Sequence, residues 1–92
     1  MKPSRIGHLV LNVLNLDRAE QFYCETLGFE VVNRLERPTA VFLTLGEQHH
    51  DLALFELAER LEGPRPIGPG LHHIKLNIGR RKLPPVPVEV VV

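Results

Sequence analysis

Two histidines open two matching strings in this chain: His8 begins HLVLNV and His73 begins HIKLNI, with Asn12 and Asn77 on the same beat. Neutral imidazole is the commonest side-chain ligand of transition metals, so a repeated strand-opening histidine is a candidate metal donor twice over. The third candidate is Glu56, a carboxylate set inside the apolar run LALFEL, where burial is costly without a cation or a hydrogen-bond donor. Two imidazoles and one carboxylate on one side of a metal form a facial triad. That arrangement leaves positions open for substrate and oxygen and suits non-haem Fe(II) or Mn(II). The same residues admit a plainer assignment, in which His8 and His73 are half-buried strand histidines bonded to backbone and Glu56 sits at a solvated strand end.

The elements that must position these groups follow from periodicity. Ile6 to Leu14 alternates as a strand, with Leu9, Leu11 and Val13 on one face and His8, Val10 and Asn12 on the other. Asp17 offers a helix N-cap with Glu20 three residues on. Ala19, Phe22, Tyr23, Thr26 and Leu27 then form a helical stripe that ends at Gly28. Three further strands are expected, Phe29 to Leu35, Val41 to Gly46 and His50 to Leu57, the last with His50, Leu52, Leu54 and Glu56 on one face. The expected fold class is α+β, a βαβββ module over 1–57. A linker rich in proline and glycine runs over 58–70, the first strand of an incomplete second module over 71–78, and an atypical Pro-rich tail over 79–92.

In the second copy, His73, Lys75 and Asn77 take the face that His8, Val10 and Asn12 take in the first, which makes Asn12, Lys75 and Asn77 candidates for substrate contact. His72 is expected to point the other way and to be structural. The tail carries Pro84, Pro85 and Pro87, a density incompatible with the helix of the first copy, so it is expected to be extended or disordered. Its departure from the repeat fits either a short natural ending or a shifted reading frame; in the second case the chain would fold only as a dimer and be inactive. A sheet with one covering helix leaves a face to be covered, and a homodimer is the default expectation.

Composition narrows the function classes. Eleven basic and eleven acidic residues in 92 cancel, which argues against bulk electrostatic binding to nucleic acid and toward a small-molecule partner. Arg80, Arg81 and Lys82 are then best taken as solvated. No apolar run reaches the roughly 20 residues of a membrane span. The start of the chain lacks a signal-like stretch and Cys24 is the one cysteine, which together predict a cytoplasmic location. Cys24 itself is most simply a small packed residue.

The stretches IGHLVLNVLNLDRAEQFYCETLGFEVV from Ile6, HHDLALFEL from His49 and GLHHIKLNI from Gly70 resemble the glyoxalase, bleomycin-resistance and extradiol-dioxygenase superfamily, the vicinal oxygen chelate proteins. The resemblance implies paired βαβββ modules around a divalent metal, with His8, Glu56 and His73 matching three ligand positions. It implies a catechol-cleaving extradiol-type dioxygenase using Fe(II) or Mn(II), with His50 as a catalytic acid or base on the bound substrate. A glyoxalase-type lyase using Zn(II) or Ni(II) is an alternative, weakened by the lack of a fourth carboxylate in motif context, since nothing aligns Glu89 there. A metal-free drug-binding protein is the other.

Overall fold

The computed structural model describes residues 1–57, 70–80 and 82–91. The linker expected over 58–70 lies outside the described residues apart from Gly70. The element order is β1 (Leu9–Val13), α1 (Leu16–Gln21), a π-helical turn (Phe22–Thr26), β2 (Glu30–Glu36), β3 (Thr39–Thr44), β4 (Leu52–Glu56), β5 (His73–Arg80) and β6 (Leu83–Val91). Strands β1 to β4 make one sheet in the order β1-β4-β3-β2, and β5 and β6 make a second. The α+β class and the βαβββ unit are therefore as the residue pattern predicts.

The register explains which residues make the core. β1 runs parallel to β4 with Leu9 opposite Leu52, Leu11 opposite Leu54 and Val13 opposite Glu56. β3 runs antiparallel to β4 with Val41 opposite Leu54 and Leu43 opposite Leu52. Alternation puts all of these on one face. Leu11, Val41, Leu43, Leu52 and Leu54 are buried there with Leu16, Tyr23 and Phe29 from the helical segment and its exit. The helix thus covers the aliphatic face of the sheet, and Val41, Leu43 and Leu54 are wholly withdrawn from solvent.

The helix starts and stops for local reasons, one of which differs from expectation. Its N-cap is Asn15, whose Oδ1 accepts the Arg18 amide at 3.1 Å, and not Asp17, which lies inside the first turn. Leu16 is buried as the first helical residue, which draws the start of the helix two residues earlier. Glu20, the expected partner of an Asp17 cap, instead forms an ion pair with Arg34 on β2. At the other end a one-residue widening into π geometry leaves the Leu27 amide bonded to the Phe22 carbonyl at 3.2 Å. Gly28 then adopts φ +82, the left-handed turn that closes the helix, as its type predicts.

Of the tail, Gly79 and Arg80 end β5, and Leu83–Val91 form a further strand. β6 folds back on β5 as an antiparallel partner, with Asn77 opposite Pro87 and Ile74 opposite Val90. Three prolines fit because β6 is an edge strand whose outward amides need no partner. Ile74, Leu76 and Val90 pack against the core of the first sheet.

Candidate functional site

Two faces of the first sheet have different chemistry, and the candidate residues divide between them. Glu56 ends β4 on the helix-covered face. Its Oε2 accepts the Leu16 amide at 2.8 Å, across 40 residues of sequence. This carboxylate has found its hydrogen-bond donor in the first turn of the helix, where an anion is also favoured by the helix dipole. Glu56 is exposed at the strand end, so this bond caps the helix rather than offsetting the burial of a carboxylate.

His8 lies with the opposite face. Its ring is 4.6 Å from that of His50, which in turn is 5.2 Å from Phe42 on β3. Phe42 is 6.2 Å from Phe55 on β4 in an edge-to-face arrangement. Behind these rings sit Ala53, opposite Phe42 in the register, and Ala40, opposite Phe55, both 1% exposed. Large and small side chains alternate across the ladder, and a surface of imidazole and phenyl edges results. His50 is half-buried within it, while His8 is exposed.

The sequence expectation that His50 shares the face of Glu56 is corrected here. β4 begins only at Leu52, so strand alternation does not extend back to His50. The residues before it form a turn built around Asp51, which accepts the Leu45 amide at 2.7 Å and the Gln48 carboxamide at 2.6 Å. That turn carries His50 over to His8. His49 follows, with its Nδ1 3.0 Å from that of His50.

His73 stands apart from both groups. It opens β5 on the exposed face of the hairpin, and its ring neighbour is His72 at 5.2 Å, so the two do not diverge as alternation predicts. His72 precedes the strand and escapes its alternation, as His50 does. Lys75 and Asn77 are exposed like His73, and Lys75 is 3.9 Å from Glu89 across the hairpin. Asn12 is exposed on β1.

Among the described residues no group of three or more His, Cys, Asp or Glu side chains is placed to hold a metal ion. By strand register Glu56 takes the helix-covered side with Val13, and His73 is exposed on the hairpin. The two residues that sequence reasoning missed are Phe42 and Phe55. Their signal was available in the alternation of AVFLT and LALFE, which puts each on the face opposite the aliphatic core.

Comparison with known proteins agrees with the fold. The sequence profile of the Glyoxalase/Bleomycin resistance protein/Dioxygenase superfamily matches residues 5–79. The catechol-2,3-dioxygenase of Bacillus subtilis (strain 168) is 38% identical over 61 residues, which are 66% of this chain and 21% of that protein. The biphenyl-2,3-diol 1,2-dioxygenase 3 of Rhodococcus globerulus is 43% identical over 51 residues, 55% of this chain and 26% of its own length. The biphenyl-2,3-diol 1,2-dioxygenase 2 of the same organism is 32% identical over 69 residues, 75% of this chain and 35% of its own length. The chain thus spans between a fifth and about a third of the relatives it matches. No solved structure gives a significant match. With most of its length matched and its four-stranded βαβββ sheet in agreement, the chain belongs to the Glyoxalase/Bleomycin resistance protein/Dioxygenase superfamily.

Proposed function

We propose that the chain serves as a module of an extradiol-type dioxygenase and that its own contribution is to bind a catechol-like ring. The observation that carries this reading is the cluster of His8, His50, Phe42 and Phe55 on the sheet face away from the helix. Phenyl edges offer an aromatic ligand offset or edge-to-face contacts, and imidazole nitrogens offer partners to phenolic hydroxyls. The partial similarity to dioxygenases named for catechol and biphenyl-2,3-diol supports the choice of ring.

In this reading His50 is the group best placed to hold or move a proton at a substrate hydroxyl, being half-buried and braced by His8, Phe42 and His49. The divalent metal of the dioxygenase reaction, iron or manganese, would need donors beyond the arrangement of His8, Glu56 and His73 in one chain. A second copy is a source of such donors, and a homodimer is part of the proposal. β1 supports it as a sheet edge without a second partner among the described residues, with Val10 54% exposed.

The test is an NMR titration of the purified chain with catechol and with 2,3-dihydroxybiphenyl. Saturable shifts of the His8 and His50 ring resonances are expected, with those of His72 and His73 unmoved; unchanged His8 and His50 signals would overturn the reading. The donor placement favours a second reading, a metal-free binding protein. Oxygen uptake on addition of Fe(II) and catechol separates the two: uptake abolished in His50→Ala supports the dioxygenase, and binding that persists in chelator without uptake supports the binder.

A further inference from the structure

A second hollow lies away from the histidine cluster. It is an open depression of about 560 Å³ between the first turns of the helix, the second half of β1 and the end of β6. That volume falls within the range of small-ligand sites, roughly 300 to 1,000 Å³. Its walls are apolar where Leu14, Phe22 and Val91 contribute, and Phe22 is 39% exposed, an aromatic surface left uncovered beside the space.

The polar part of the lining has one sign. Arg18 is the charged residue of the lining, and no aspartate or glutamate joins it. Its guanidinium makes no ion pair among the described residues, unlike Arg34, which is held by Glu20. Its backbone amide is already satisfied by Asn15 Oδ1, so the cap and the side chain act independently. Asn12 and Asn15 are also among the lining residues; Asn12 lies opposite Phe55 in the β1–β4 register, and the Asn15 carboxamide carries N–H donors beside its capping oxygen.

We propose that this hollow is a binding site for a small monocarboxylate with an apolar or aromatic body, its carboxylate paired with Arg18 and its body against Phe22 and Leu14. The guanidinium fork matches a carboxylate with two parallel hydrogen bonds, and a lining without acidic groups offers it no competitor. Asn15 supplies further donors at the rim. The site is separate from the catechol-binding proposal, since none of His8, His50, Phe42 or Phe55 lines it.

The test uses the full chain with benzoate and octanoate as probes and benzamide and octanamide as their uncharged counterparts. Two-dimensional NMR is expected to show saturable shifts of the Asn15 side-chain amide and of Phe22 with the carboxylates. Arg18→Gln keeps the helix and its cap and is expected to weaken carboxylate binding by about tenfold or more, the scale of a lost charge-assisted hydrogen bond. Arg18→Lys, which keeps the charge and loses the fork, is expected to fall between. Amides that bind as tightly as the carboxylates, or an Arg18→Gln chain that is folded by its spectrum and binds unchanged, would overturn the proposal. Shifts confined to the His8 and His50 cluster would overturn it as well and assign the probes to the other face.

Discussion

Glu56 was the residue whose chemistry most depended on its surroundings. A carboxylate in an apolar run reads equally as a metal ligand or as a hydrogen-bond acceptor for a nearby donor. The structure gives it the Leu16 amide. Glu56→Ala is therefore expected to destabilise the fold by about 1 to 2 kcal/mol, the cost of an orphaned helix N-terminal amide. Glu56→Gln, which keeps a carbonyl acceptor, is expected to recover most of that loss, and denaturant unfolding of the two variants checks it. Gly28→Ala is expected to cost about 1 kcal/mol by the same measurement, because φ +82 is unfavourable for a residue with a Cβ. Cys24 makes a pH-dependent prediction. Burial pushes its thiol up, the negative charge of Glu20 pushes it further, Arg34 opposes and Glu25 adds. The thiolate is thus scarcer at neutral pH than in an ordinary cysteine, and alkylation is expected to be slower and to accelerate as pH rises. Glu20→Gln is expected to speed it at a given pH.

At the scale of elements, period-2 and period-3.6 patterns placed the βαβββ order correctly because the sheet has one aliphatic face and one aromatic and polar face. Val41, Leu43, Leu52 and Leu54 announce the first, and their alternation is unbroken within the strands. Leu54→Ala is expected to cost about 2 to 5 kcal/mol, since its side chain is wholly buried between neighbouring strands and the helix layer; a fall in the unfolding midpoint measures it. What alternation could not show was where a strand stops. His50 and His72 each lie just outside a strand, where a turn sets direction, and the Asp51 hydrogen bonds that turn His50 toward His8 leave no periodic trace. The Pro-rich tail was legible as non-helical, but its pairing with β5 was not, because a hairpin partner is a long-range choice made by packing Ile74, Leu76 and Val90 on the core.

At the scale of the whole molecule, the repeat of HLVLNV by HIKLNI correctly marked two strands but not their relation. β1 sits in a four-stranded sheet and β5 in a hairpin, so the two matching strings do not take equivalent places in one sheet. The expected convergence assumed that the second strand would face the first across a pseudo-twofold axis. The free edge of β1 leaves room for a second copy, and light scattering is expected to give twice the 10.4 kDa chain mass. A concentration-independent mass of one chain would refute the dimer. If the dimer forms through this edge, Val10→Lys is expected to shift it toward monomer by placing two like charges at the contact.

The bond from Leu16 to Glu56 also imposes an order on assembly. A helix of this length has little stability of its own in water, and here its first turn is fastened by a residue at the far end of the module. Among the described residues β1 likewise acquires its one sheet neighbour when β4 arrives. During synthesis, then, the first strand and the helix must wait until residue 56 has emerged before either has its partner. A nascent chain paused before β4 would expose the aliphatic stripe of the helix, and the module would close as a unit once the last strand slid in beside the first.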